Sequence, residues 1–386
     1  MFSSITSTIS KTFARFQIDW VVFACAITLV SFGLITMNSF SGDNFHYEKQ
    51  LIWTLVSTTI FFIASFIDWG FLKRTQSVMV IYGIVCFLLL LLFSVSAIKG
   101  AKGWFNLGLF SVQPADMATL SLILVLSKYF SKRHVEIAHF KHIIVSGVYA
   151  FILAILIALQ PDFGGAIIIS CIWFGMTLVS GISKKHLLAL FALGIVAFGF
   201  LWGFGFKDYQ KARVMTFVNP MSDIRGSGYH VYQSTIAVGS GEVLGKGIGY
   251  GTQSRLKFLP EYQTDFIFAA FVEEWGLVGA LILFGVFTLL IVRITSVGVR
   301  GGSNFEILFG FGLATLLTSH FIINAGMNIG ILPVTGITFP FMSYGGSHLV
   351  MSFFALGILN SMQKRMKHVH REQIHNELVG VGHERV

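Results

Sequence analysis

Between Gly249 and Gly276 the chain reads GYGTQSRLKFLPEYQTDFIFAAFVEEWG, a stretch with four carboxylates (Glu261, Asp265, Glu273, Glu274) beside two cations, Arg255 and Lys257. It runs directly into residues 275–293, a 19-residue span with no charge before Arg293. At about 1.5 Å per residue such a span just covers a hydrocarbon core of about 30 Å. Thr264 and Asp265 precede the apolar run as a cap would, so the spacing predicts a helix from near Thr264 that is too long for the bilayer. Asp265 then sits ten residues before Trp275, at the water–lipid boundary and at most about 15 Å beyond the hydrocarbon edge. An acid there can act as a helix cap or first-turn acid, worth up to about 1 kcal/mol. It can also be a general base placed where a lipid-linked substrate presents its head. Spacing alone leans to the cap, and the geometry is compatible with both. Glu261, just after Pro260, faces the same way if the helix begins there.

The other candidate groups follow the same logic. Glu273 and Glu274 fall at or just inside the interface, where ionised carboxylates are costly unless paired or wet. One is expected to pair with a loop cation and the other to sit in the headgroup layer. Asp116 and Asp162 open or precede apolar spans, as caps or as the lining of an outward cavity. Lys207, Lys211, Arg213, Lys246, Arg255 and Lys257 cluster along one loop. They suit either anionic lipid headgroups or a pyrophosphate, for which arginine offers a planar fork. Residues 239–251, GSGEVLGKGIGYG, are glycine-rich but lack the strand–loop–helix frame of a nucleotide-binding loop.

The elements that position these groups are membrane helices. The chain has 386 residues, 54% of them hydrophobic and only 12% charged, which marks an integral membrane protein. A net charge of +9 raises the question of nucleic acid, but the cations lie between apolar spans, so no nucleic-acid partner is expected. The three cysteines, Cys25, Cys86 and Cys171, sit inside apolar spans and imply neither disulfides nor a Cys-rich metal site. The first apolar run is too long for a signal-peptide core and reads as a retained helix.

An all-α, single-domain bundle of ten spans is expected, at about 18–39, 47–68, 75–97, 114–130, 142–159, 163–181, 187–206, 265–293, 304–326 and 347–363. A long outer loop, 207–263, separates spans seven and eight, and a polar tail follows from 364 to 386. Of the lysines and arginines, 17 fall on the N-terminal side and 10 on the other, seven of those ten in the long loop. The balance in short loops places both termini in the cytoplasm. Three further outward segments are unusual: residues 99–116, the Gln160-Pro161-Asp162 hairpin, and the uncharged stretch 324–347. The last contains Pro333, Pro340, Gly345 and Gly346, which forbid a continuous helix. Such backbone survives near membrane depth only when buried or lining a cavity. No internal repeat is visible. The tail histidines His368, His370, His375 and His383 read as part of a solvated segment rather than a metal site.

These motifs resemble the SEDS family of bacterial cell-wall polymerases (RodA, FtsW, SpoVE), and look closest to its RodA, elongation branch. The resemblance covers about residues 18–365. It rests on GKGIGYGTQSRLKFLPEYQTDFIF (245–268), GYHVYQS (228–234) and ILPVTGITFPFMSYGGS (331–347). It implies a peptidoglycan glycosyltransferase of the bacterial cytoplasmic membrane that polymerises lipid II, as donor and acceptor, at the outer face. It also implies a class B penicillin-binding protein as partner. Asp265 and Thr264 match the family's Thr-Asp-Phe motif with its essential aspartate, Glu261 its nearby glutamate, and Arg213 its loop arginine. Gln113-Pro114-Ala115-Asp116 stands where the family has Gln-Pro-Ser-Glu, and Gln160-Pro161-Asp162 is unchanged. Two positions depart: Thr119 replaces a common lysine three residues after Asp116, and Gly103 replaces a common arginine before Trp104. Asp116 is therefore expected to lack its usual partner.

On this reading Asp265 accepts the proton of the attacking sugar hydroxyl. Arg213, Lys246 and neighbouring cations stabilise the departing pyrophosphate. No dedicated metal cage is visible and no organic cofactor is expected, so Mg²⁺ or Mn²⁺ would be held partly by the pyrophosphate. Gly276, Ala280 and Gly285 on span eight, with Gly310 and Gly312 on span nine, suit either bundle packing or the partner's membrane helix. Two rival classes are a lipid II flippase and a non-catalytic scaffold for the penicillin-binding protein. A flippase needs polar groups through the full depth of the bundle, and a scaffold needs no acid at 265.

Overall fold

The computed structural model describes residues 18–39, 45–94, 103–106, 108, 111–132, 140–219, 226–256 and 258–380, with residues 364–380 described by backbone alone. Expectations for Lys257, and for much of 99–110, fall outside the described residues or on their edge. The helices are α1 (Trp20–Asn38), α2 (Phe45–Phe66), α3 (Thr75–Leu91), α4 (Pro114–Ser131), α5 (Phe140–Leu159) and α6 (Phe163–Val179). They continue with α7 (Lys184–Phe200), α8 (Asp208–Val218), α9 (Ser227–Ser240), α10 (Ile267–Val299), α11 (Asn304–Asn328) and α12 (Gly346–Gly380). A two-stranded hairpin, Phe105–Asn106 against Ser111–Val112, precedes α4.

Seven of these helices are long and apolar enough to cross a membrane unaided, and α6 is a shorter apolar helix. The fourth expected span, α4, is buried along most of its length and packs on α3, α6 and α11. A helix enclosed by protein can carry Asp116, Ser121 and Ser127 without facing lipid. The reverse holds for α7, none of whose residues is buried. It is apolar all round because lipid is its neighbour. The last span and the tail are one helix, since α12 continues past 363 to Gly380.

The long loop between spans seven and eight is itself folded. It holds α8, α9 and a single turn at Thr252–Arg255, and α9 packs on α10. Near the opposite end of α10, Arg293 pairs with Asp19 at 2.9 Å, and Asp19 N–H donates to Asn360, tying α1, α10 and α12 together.

Candidate active site

Helix α10 is not the continuous rod its apolar length suggests. It begins at Ile267, with Phe266 rather than a polar side chain at its cap, and breaks at Gly276 (φ 67°, ψ −166°). Residues 241–247 insert there. Leu277 N–H donates to Glu242 O, Val278 to Val243 O, Lys246 to Glu273 O and Gly247 to Glu274 O, all at 3.0–3.1 Å. A Cβ at Gly276 would stand 2.3 Å from Gly245 N, so only glycine permits this approach. The first segment of α10, residues 267–274, is buried within the protein. The expected extension of one rod into the headgroup layer is thus corrected: Asp265 rides on a short, protein-enclosed piece.

Asp265 is neither cap nor first-turn residue. It lies in a turn closed by Glu261, whose carbonyl accepts from the N–H groups of Thr264, Asp265 and Phe266 at 3.1–3.2 Å. Glu261 itself is exposed and adopts a left-handed φ of 46°. Thr264 Oγ1 donates to its carboxylate at 3.3 Å. The turn is clamped from two sides. On α11, Asn324 and Asn328 both donate through Nδ2 to the Asp265 carbonyl, at 2.9 and 3.0 Å. From the 329–345 segment, Ser343 Oγ donates to Thr264 O at 2.6 Å and Tyr344 N–H to Gln263 O at 2.8 Å. Ser343 O in turn accepts from the buried Gln50 on α2. Asp265 remains only partly buried. Gly336 (φ 75°) passes so close that a Cβ there would lie 3.6 Å from Asp265 Oδ2.

Residues 343–348, Ser-Tyr-Gly-Gly-Ser-His, link this turn to a second group. Ser347 Oγ accepts from Gln113 N–H at 3.1 Å, and His348 Nδ1 lies 3.3 Å from Asp116 Oδ1. Gln113 Nε2 reaches Asp162 Oδ2 at 3.4 Å. Asp162 also caps α6, accepting from Gly165 N–H at 2.8 Å. Burial pushes the Asp162 carboxyl above the ordinary carboxylate range, and the Asp116 charge adds to this. The Gly165 and Gln113 hydrogen bonds and the Arg213 charge pull it back. Gln113, Asp116 and Asp162 therefore share one neighbourhood, and the Arg213 charge acts on Asp162. The usual lysine is absent, with Thr119 in its place, and the group that approaches Asp116 instead is His348, from α12, which stacks on His320 with ring centroids 4.6 Å apart. Thr119 only bonds back to the Asp116 carbonyl.

Lys246 belongs to a third cluster. Its Nζ lies 2.8 Å from Glu273 Oε1, which also accepts from Thr252 Oγ1 and Gln253 N–H. Glu274 is 2% exposed and accepts from Ser39 Oγ and Gly249 N–H. The expected pairing of one acid with a loop cation is present. The expected placing of the other in the headgroup layer is not, because loop 241–256 closes over both. Among the described residues no three His, Cys, Asp or Glu side chains group as a metal site. Asn324, Asn328, Gln50 and His348 escaped the sequence reading. For Asn324 and Asn328 the signal was the uncharged stretch 324–347 in which they lie; Gln50 and His348 lie outside it and carried no comparable signal.

The Cell cycle protein family model, FTSW_RODA_SPOVE, matches residues 13–368. The peptidoglycan glycosyltransferase MrdB of Escherichia coli K12 is 39% identical over 276 residues, 72% of this chain and 73% of that protein. The probable peptidoglycan glycosyltransferase FtsW of Geobacter metallireducens is 32% identical over 365 residues, 90% of this chain and 95% of that one. Among solved structures, a chain of a peptidoglycan synthase complex superposes with a TM-score of 0.78 at 27% identity, covering 91% of this chain and 99% of that one. The rod shape determining protein RodA of Thermus thermophilus does so with a TM-score of 0.68 at 26% identity, covering 90% of this chain and 97% of its own. The chain belongs to the FtsW/RodA/SpoVE family, close to its RodA members.

Proposed function

We propose that Asp265 is the general base of this chain's glycosyl transfer, with lipid II as both donor and acceptor. The chain is a peptidoglycan glycosyltransferase of cell elongation and a multi-pass protein of the bacterial inner membrane. In the reaction a sugar hydroxyl of the acceptor attacks the donor's anomeric carbon. The bond from that carbon to polyprenyl pyrophosphate breaks, and the hydroxyl proton passes to the Asp265 carboxylate. Such assistance is worth a factor of about 10²–10⁴. One observation carries the assignment: Asp265 is only partly buried while its backbone is held by two buried asparagines. A base must reach substrate and yet stay in register.

Arg213, whose charge is felt at Asp162, is the proposed contact for the departing pyrophosphate. Thr264 and Glu261 shape the turn that presents Asp265. Lys246, bound to Glu273, orders the loop beside the site, and a substrate contact by it would use its remaining N–H. A divalent ion, Mg²⁺ or Mn²⁺, would neutralise the pyrophosphate, held by substrate oxygens with these acids. Both termini face the cytoplasm on this reading, with Asp265 at the outer face.

The partner is proposed to be a class B penicillin-binding protein, docking its membrane helix on α10. Leu281, Ile282 and Leu289 are exposed there, and a Cβ at Gly285 would meet nothing. Gly276, Gly310 and Gly312 are instead used inside the bundle. The test is polymerisation of purified lipid II by the chain with its partner. Asp265→Asn should cut the rate at least a hundredfold while the fold is retained. Unchanged polymer yield would end the base assignment.

A further inference from the structure

At the end of the bundle away from Asp265, three lysines from neighbouring elements converge. Helix α11 measures the separation: Asn328 at its C-terminus holds Asp265, and its first residues lie about 35 Å away. There Phe305 and Ser303 line an open cavity of about 470 Å³ together with Lys73, Lys128 and Lys132. Lys73 comes from the turn between α2 and α3, Lys128 from the last turn of α4, and Lys132 from just beyond it.

The charges do not cancel among the described residues. The buried Glu306 takes one of the three, with its Oε1 2.7 Å from Lys73 Nζ. Lys128 Nζ donates to the Lys73 carbonyl, and Lys132 Nζ to Thr75 Oγ1 at 3.3 Å, neither of them an acid. Two ammonium groups crowded at one cavity repel unless an anion joins them. The N-terminus of α11 points the same way, adding partial positive charge from a helix with no side-chain cap. Ser303 Oγ, shut off from solvent in that wall, finds no hydrogen-bond partner among the described residues. Apolar surface flanks the cavity, with Phe71 two residues from Lys73 and Val299 three residues from Gly302, both exposed. Charge at the end of membrane helices with exposed apolar surface alongside fits a phosphate that carries acyl chains.

We propose that this cavity binds the phosphodiester head of an anionic phospholipid. Occupancy would join the α2–α3 turn, α4 and the start of α11, whose far end carries the two asparagines on Asp265. The proposal stands apart from the base assignment, because its test reads binding alone.

The test is native mass spectrometry of the purified full chain, incubated with phosphatidylglycerol or with phosphatidylcholine. Phosphatidylglycerol should be retained in preference. Lys128→Gln with Lys132→Gln should lower that preference by about 25-fold, at about fivefold per lysine. Lys132→Glu alone, at an exposed position, should lower it without risk to the fold. Lys184→Gln with Lys185→Gln, in the first turn of α7, should leave it intact. Equal retention of the two lipids by the unaltered chain, or an undiminished preference in the Lys128/Lys132 variant, overturns the site. Equal loss in the Lys184/Lys185 variant reduces it to general charge. Displacement of the lipid by inorganic phosphate at equal concentration assigns the cavity to free phosphate and overturns the lipid assignment.

Discussion

The Asn328 amide joins the Asp265 turn to the helix that follows it: Nδ2 donates to Asp265 O at 3.0 Å, and Oδ1 accepts from Ala269 N–H at 3.0 Å. One fully buried side chain thus satisfies groups on both sides of the start of α10. Asn328→Leu would leave the buried Ala269 N–H without this partner, at about 1–3 kcal/mol, while the Asp265 carbonyl keeps only its bond from Asn324. The expected result is a lower unfolding temperature together with a drop in kcat larger than any change in KM. An equal loss of kcat/KM carried by KM alone would argue that Asn328 serves substrate binding instead.

The Lys246–Glu273 pair makes an asymmetric prediction. Lys246→Ala leaves a carboxylate buried at 0% exposure without its cation, which costs about 3 kcal/mol. Glu273→Gln removes the charge and keeps acceptor capacity for Thr252 and Gln253, so it should cost less. Thermal unfolding in detergent measures both, and limited proteolysis within 246–256 should speed up more in Lys246→Ala. The reverse order would show that the loop is held by other contacts.

His348 and Thr119 form a swap test. If His348 serves Asp116 as its counter-group, His348→Ser should reduce polymerisation severalfold. Adding Thr119→Lys, one helical turn from Asp116 on α4, should recover part of the loss. Failure of the double variant to exceed the single one would show that His348 acts through its stack on His320.

Asp162 gives a pH prediction. Burial raises its native carboxyl above the unfolded value, so the native state binds more protons than the unfolded state across that interval. Stability should therefore fall as pH rises from the ordinary carboxylate range through the raised native value. Asp162→Asn keeps a good cap for α6 and removes the titration. Its unfolding temperature should vary less with pH, and at neutral pH should match or exceed that of the unaltered chain. A steeper profile in the variant would contradict the burial argument.

Much of the architecture was legible in advance, because lipid leaves the backbone few choices. Runs of about 20 apolar residues must close their hydrogen bonds within one helix, so the spans at 20–38, 75–91 and 304–328 follow from composition alone. The motif around Asp265 was legible too, as were Asp116 and Asp162 at the starts of α4 and α6. Periodicity failed where a distant segment intervenes. The apolar run through Gly276 contains no local break signal beyond a single glycine. The break exists because residues 241–247, about 30 positions earlier, supply the missing hydrogen-bond partners.

The amino-acid sequence by itself determined that this is a membrane bundle of the FtsW/RodA/SpoVE family and that Asp265 is its leading candidate base. Tertiary structure alone decided what holds that acid. The Asn324 and Asn328 amides are 59 and 63 residues away in the chain, and the Asp116–His348 contact spans 232. Helical periodicity carries information over only a few residues, while buried polar groups take whichever partner the packed helices bring within 3 Å.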